Sequence, residues 1–291
     1  MFLNMVLRSS ILYASETYYN LTESQVRILE RIEEEYLRKL FQTSRGCPIN
    51  QLYLESGHIP ARFAMKKGRL LFLKTILEEK EDSTIQRFLM LQFENPTKGD
   101  WASSCMQDLK DLEINLSLKE IREISKYTFL NLIKNSIQNK AFEYLIRNRR
   151  SKGHEIEYTE LRMAEYLTPG YENVTIKDQR NIFAMRNRMV EIKENFRKGK
   201  QAEKCACGLL ESMKHIYTCT FYNKEHKIEI EYEEIFKENV QKQLKVSKIF
   251  YQKFEERVKH KIAIEQTDIP HVIQLCDPLS LLSESTVMDC K

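Results

Sequence analysis

Thr22-Glu23-Ser24-Gln25-Val26-Arg27-Ile28-Leu29-Glu30-Arg31-Ile32-Glu33-Glu34-Glu35-Tyr36-Leu37-Arg38-Lys39-Leu40-Phe41 is the stretch that decides the fold class. Thr22 and Gln25 have the spacing of a capping box, in which a hydroxyl accepts from the N3 backbone N–H and the N3 side chain reaches back to the N-cap. Leu29, Ile32, Tyr36, Leu40 and Phe41 then recur at helical spacing, with Glu30, Arg31, Glu34, Glu35 and Arg38 on the other faces. The pattern predicts an amphipathic helix that buries the first set. Gly46-Cys47-Pro48 stops it.

The rest of the chain has the same character. It has 8 Gly and 6 Pro in 291 residues, too few turn formers for a many-stranded sandwich or barrel, and Leu, Ile, Glu and Lys dominate. A mainly α fold is expected. After Leu52-Tyr53-Leu54-Glu55-Ser56-Gly57-His58-Ile59-Pro60, a helix is predicted over 62–79, with Phe63, Leu70, Leu73 and Leu77 as core. Lys66, Lys67, Arg69 and Lys74 are expected on a solvated flank. Asn95 to Asp100 is a turn cluster, and Trp101, the single tryptophan, reads as a packing anchor. Helical segments follow over 103–148, and Thr168-Pro169-Gly170 marks a boundary. A further helix is expected from Asp178 to Phe196. Beyond residue 226, the stripes Phe236/Val240/Leu244 and Phe250/Phe254/Val258 slip in phase, which suggests a hairpin or broken helix. The tail from Glu265 is expected to fray. The regions are therefore 1–100, 101–179, 180–225, 226–264 and 265–291.

The densest chemistry is Cys205-Ala206-Cys207-Gly208, followed by Glu211, His215 and Cys219. Three thiols and an imidazole fit structural zinc, which thiolate and imidazole bind in a closed tetrahedron. Cys207-Gly208 lets the backbone turn so that both sulfurs face one point. His215 and Cys219, at i and i+4, share a helix face. Four protein ligands leave no open position for a water, so Zn2+ here would hold shape and not catalyse. The remaining cysteines, Cys47, Cys105, Cys276 and Cys290, are isolated, and an odd count of seven is no disulfide framework. They read as thiols of a reducing compartment, nucleus or cytoplasm, and not of a secreted protein. No apolar run approaches a membrane span. Residues 1–7 are apolar without a basic n-region, so the chain reads as starting inside an element of something larger and not with a signal peptide.

The net charge of +4 permits nucleic-acid contact without requiring it. Placement is more informative, because eight basic residues against three acidic ones lie between Arg180 and Lys204, ending beside the cysteines. Cations that take phosphates next to rings that stack bases make a single-strand grip. The candidate set is Arg147, Arg149, Arg150, Arg186, Arg188, Arg197, Lys198, Lys200 and Lys204. For Arg147, Arg149 and Arg150 the alternative is a helix C-terminus whose dipole favours cations. There is no Asp-Asp pair, phosphate loop, nucleophile elbow or H-E-x-x-H, so no enzyme is expected.

Three stretches resemble the C-terminal part of reverse transcriptase polyproteins from non-LTR retrotransposons. They are Leu12 to Tyr19; Leu52 to Pro60 with Gly99-Asp100-Trp101; and Arg180 to Met189 running into the cysteine motif. The resemblance implies a thumb-like helical bundle over about residues 1–100 that cradles template–primer, and a CCHC-type zinc knuckle that binds RNA or DNA. It also implies Cys205, Cys207, His215 and Cys219 as ligands, and Arg186 and Arg188 as the basic helix before them. Upstream polymerase domains would then be partners. The catalytic palm is missing from this sequence, so polymerase activity does not carry over. The alternatives are a zinc-stapled structural or protein-interaction module, or a decayed reading frame.

Overall fold

The Thr22 hydroxyl accepts from the Gln25 backbone N–H and the Gln25 side chain accepts from Thr22 N–H, so the helix opens on the capping box its sequence predicts. The structure, a computed structural model, describes residues 8–43, 46–80, 83–148, 156–168, 174–190, 192, 204–222 and 230–267. These form α1 (Arg8–Ile11), α2 (Glu23–Phe41), α3 (Ile49–Ser56), α4 (Ala61–Glu78), α5 (Thr84–Glu94) and α6 (Trp101–Asp111). Then come α7 (Leu118–Glu123), α8 (Lys126–Arg147), α9 (Ile176–Arg186), α10 (Met213–Thr218) and α11 (Val240–Thr267). The fold is mainly α as expected, and among the described residues the only β pairings are isolated bridges, Ser56 with Met163 and Lys204 with Leu210. No helix among these residues is long and apolar enough to cross a membrane.

Helix α4 lies at the centre of the first half, in contact with α2, α5, α6, α7 and α8. Its predicted core residues Phe63, Leu70, Leu73 and Leu77 are all buried. Trp101 anchors α6 by donating from Nε1 to Glu16 O at 2.8 Å and setting its ring edge-on to Phe72. Lys74 departs from the expectation of a solvated flank. It is fully buried, with Nζ 2.8 Å from Arg122 O and 3.0 Å from Glu78 Oε1, so it ties α4 to the end of α7.

Helix α2 is turned relative to its predicted face. Of the five residues expected to be buried only Phe41 is, while Ile28, Ile32 and Leu40 are 57%, 41% and 47% exposed. Glu30 and Glu33 point inward in their place. The reason lies on α4, whose N-cap Pro60 offers no side-chain cap. Glu33 Oε2 accepts from Ala61 N–H at 2.9 Å and from Tyr53 Oη at 3.3 Å. A carboxylate there satisfies an orphan donor and faces the positive end of the helix dipole. Glu30 meanwhile takes Arg62 Nε at 2.6 Å. Two buried charge contacts set the rotation of α2 against its apolar stripe.

The two halves meet at Glu55. This fully buried carboxylate accepts from Tyr158 Oη at 2.8 Å, Tyr166 Oη at 2.9 Å and Arg186 Nε at 3.0 Å. Gly57 closes α3 at φ +65°, where the backbone N of Met163 would lie 2.2 Å from a Cβ. Only glycine allows that approach. One apolar core runs from Leu37 through Tyr166 and Ile182 to Phe250. The boundary expected at residues 168–170 falls largely outside the described residues, and core residues on both sides of it belong to this same cluster.

Two further expectations are corrected. Helix α9 ends at Arg186, with Arg188 in the left-handed region at φ +51°, and residues 191 and 193–196 of the expected helix lie outside the described residues. In the C-terminal segment Phe236 closes a separate 3-10 turn, Tyr232–Phe236, and Val240–Thr267 is one unbroken helix of 28 residues and not a hairpin. The slip between Leu244 and Phe250 falls at Ser247, which is buried though polar, and further on Lys253 and Arg257 are buried while Val258 of the expected stripe is 37% exposed. Cys276, Cys290 and the tail beyond Thr267 lie outside the described residues.

Candidate metal centre

Residues 204–222 build the site in two steps. In the first, Lys204 pairs with Leu210, Cys205 N–H donates to Leu209 O and Gly208 N–H donates to Cys205 O, the last two at 2.8 Å. The tight turn requires a left-handed residue, which Gly208 supplies at φ +91°. In the second, Ser212 caps α10 by accepting from His215 N–H at 2.9 Å. That single helical turn places His215 before Cys219, whose N–H donates back to His215 O at 2.7 Å.

The ligand atoms of Cys205, Cys207, His215 and Cys219 consequently all lie within 4.8 Å of one another. Cys205 Sγ is 3.6 Å from Cys219 Sγ, and Cys207 Sγ is 3.2 Å from His215 Nε2. A tetrahedron with zinc–sulfur and zinc–nitrogen bonds of ordinary length has edges of roughly 3.3–3.8 Å. Donor type and donor spacing both fit a metal ion. Cys205 and Cys219 are buried, His215 is half-buried and Cys207 is exposed.

The thiols sense one another. Burial pushes the Cys205 thiol up, but hydrogen bonds from the Cys207 backbone and the Tyr222 and His215 side chains outweigh it and bring it down to about 6. Burial pushes Cys219 up to about 11, with the Cys205 side chain adding to the rise. Two sulfurs this close compete for one negative charge, and a bound divalent cation ends the competition by holding both as thiolates.

The C-terminal helix supplies residues that sequence reasoning missed. Lys253 is buried, with Nζ 2.8 Å from Tyr217 O and 3.0 Å from Cys219 O. Burial lowers its pKa. Arg257 forks onto buried Glu211, and Lys261 reaches the same carboxylate at 3.4 Å. Phe221 sets its ring edge-on to His260 at 5.2 Å. The available signal was the i, i+4 pair Lys253/Arg257 embedded between Phe250 and Val258.

The nucleic-acid set is only partly gathered. Arg186 must be corrected: it is 4% exposed, bonded to Glu55 and, at 2.9 Å, to Ile235 O, so no phosphate can reach it. Arg188 is half-buried and lines a cleft of about 800 Å³ whose charged residues are mixed, Lys214 and Lys237 against Glu157, Glu233 and Glu238. Lys204 is exposed beside Cys205. Arg147 is exposed on a different cleft, with Arg62 and Lys66. Arg149, Arg150, Arg197, Lys198 and Lys200 lie outside the described residues. The acidic residues after the knuckle are matched to lysines, Glu233 to Lys214 and Glu234 to Lys237 and Lys242. No family model matches the chain, and neither a curated protein nor a solved structure matches it.

Proposed function

We propose that this chain is a nucleic-acid-binding, C-terminal piece of a reverse transcriptase polyprotein of the non-LTR retrotransposon kind. In this reading Cys205, Cys207, His215 and Cys219 hold one structural Zn2+. The observation that carries it is the convergence of three thiols and an imidazole within 4.8 Å, a closed donor set of the zinc type. Zinc is favoured because soft thiolates and imidazole in a tetrahedral S/N set select it over hard cations. The metal fixes the backbone of residues 204–222, and the chain around it grips RNA or DNA. Lys204 stands exposed beside the cluster, and Arg188 lines the neighbouring cleft, in which Lys214 is paired with Glu233 and Lys237 with Glu234. Phosphate contacts supply most of such an affinity, and the exposed Phe221 is a ring on which a base can stack. No catalytic step is assigned to the chain.

A second reading, a zinc-stapled structural or protein-interaction module, is favoured by one observation: Arg186 lies in the core on Glu55 and not on a surface. One experiment separates the two. Metal content is measured for the wild type and for a Cys205→Ser/Cys207→Ser variant. Random single-stranded RNA and DNA of increasing length are then titrated at two salt concentrations. One zinc per chain, with length- and salt-dependent binding lost in the variant, is the expected result. Zinc without strand binding moves the assignment to the second reading, and no zinc removes both.

A further inference from the structure

The metal-ligand segment joins the main core only through α10, by Met213, Ile216 and Tyr217. Beyond the ligands, Cys205 and Cys219 share a buried cluster only with Tyr222, separate from the main core. Beyond that packing, the polar ties that hold the ligand set itself come from one face of α11. Lys253 donates to the carbonyls of Tyr217 and Cys219 at the C-terminal end of α10, one of them the carbonyl of a ligand residue. Those are the orphan acceptors of a six-residue helix, and a cation there also faces the negative end of its dipole. Arg257 and Lys261 hold Glu211, which sits in the loop between the ligand pair Cys205/Cys207 and the ligand pair His215/Cys219. The loop between the two ligand pairs and the end of the second pair are therefore tied to the same helix, one turn apart.

Charge points the same way. Three thiolates and a neutral imidazole around a divalent ion leave a net negative site, and Lys253 places a buried ammonium against its backbone. Arg257 is already matched by Glu211. An ammonium buried beside carbonyls is costly to keep without a compensating negative charge nearby.

From these contacts we infer that Lys253 and Arg257 are positioning residues of the metal centre, and that metal binding and the docking of the C-terminal half of α11 form one coupled equilibrium. The inference rests on the four-ligand reading above. Coupling of this kind is reciprocal: the helix tightens the metal, and the metal holds the helix. Removing an outer-shell partner of a metal site lowers affinity by roughly 10- to 100-fold.

The test uses the full chain. Zn2+ affinity is read by competition with a chromophoric chelator, and ligand geometry by the visible spectrum of the Co2+-substituted protein. Hydrogen exchange across α11 is compared before and after chelation. Lys253→Met should weaken Zn2+ binding by roughly 10- to 100-fold and shift the Co2+ bands. Lys253→Arg, which keeps a cation and donors, should restore most of both. Chelation should speed exchange near residues 250–262 while leaving α4 and α8 unchanged. If Lys253→Met does not fold, Glu211→Gln/Arg257→Gln tests the other tie, with the same loss of affinity expected. Wild-type affinity and spectrum in these variants, or α11 exchange indifferent to metal, overturns the coupling alone. A wild-type chain that takes no Zn2+ overturns the metal-centre reading itself and the coupling with it.

Discussion

Replacing Arg186 with Met separates the two roles a cation can have here. Glu55 is fully buried, and its oxygens are held by Tyr158, Tyr166 and Arg186 at 2.8–3.0 Å. Of those donors only Arg186 carries charge. Arg186→Met keeps the apolar stem of the side chain but leaves the carboxylate desolvated with two neutral donors. Breaking a buried pair from one side in this way costs about 3–5 kcal/mol. The Ile235 carbonyl also loses its 2.9 Å donor and keeps only Gln243 Nε2 at 3.5 Å, which adds to the cost. For a chain of this size that corresponds to a fall in Tm of roughly 6–20 °C. Arg186→Met/Glu55→Gln removes the uncompensated charge, and about half of the loss or more should return. The assay is thermal and urea denaturation of the three variants and wild type, with nucleic-acid titration at a temperature where all are folded. Unchanged stability with weakened strand binding in Arg186→Met would refute the structural assignment and restore this arginine to the phosphate contacts.

Three other outcomes follow from the geometry. Gly57→Ala should destabilise by about 2 kcal/mol or more, because φ is +65° and the Cβ would meet the Met163 backbone; urea denaturation checks it, and a cost near zero would mean the Ser56–Met163 pairing is absent. Glu33→Ala should cost about 1–2 kcal/mol through the lost cap on α4, with Glu33→Gln recovering part of it. Hydrogen exchange in the first turn of α4 reads this locally. Asp100 caps α6 by accepting from Ser103 N–H at 2.6 Å and Thr97 N–H at 2.7 Å, and these bonds hold its carboxyl down at about 2. A depressed carboxylate stabilises above its unfolded pKa of about 3.9, and that contribution fades as pH falls from about 4 towards 2. Asp100→Asn should flatten that part of the acid profile while keeping α6 capped.

Legibility in the sequence followed the range of the interaction. The Thr22 cap and the ligand turn at Cys207-Gly208 depend on neighbours a few residues away, so spacing alone located them. The buried face of α4 was legible for the same reason. Where a distant partner decides, pattern misled. Periodicity could not place Glu30 and Glu33 inside, because the donors that draw them in, Arg62 Nε and Ala61 N–H, sit on another helix. Arg186 looked like one member of a basic run until the fold brought Glu55 to it from 131 positions away. Lys74 was misjudged and Lys253 missed: among the acceptors that let each be buried are distant backbone carbonyls, and carbonyls leave no trace in side-chain pattern.

The same point explains why α11 reads as broken yet forms one helix. Val240, Val246 and Phe250 contribute to the main core, and Lys253 and Arg257, one and two turns further on, face the cysteine segment. A helix that serves two environments in succession must change the chemistry of its buried stripe from apolar to cationic without changing its backbone. Hydrophobic periodicity registers buried polar residues such as Ser247 and Lys253 as breaks in the stripe, since it scores burial by apolarity alone. A proline or glycine at the slip would have signalled a real break, and Lys245 to Lys253 contains neither. The apolar half of α11 therefore needs only the main core to stay seated, whereas its cationic half depends on the carbonyls and the carboxylate that the cysteine segment presents to it.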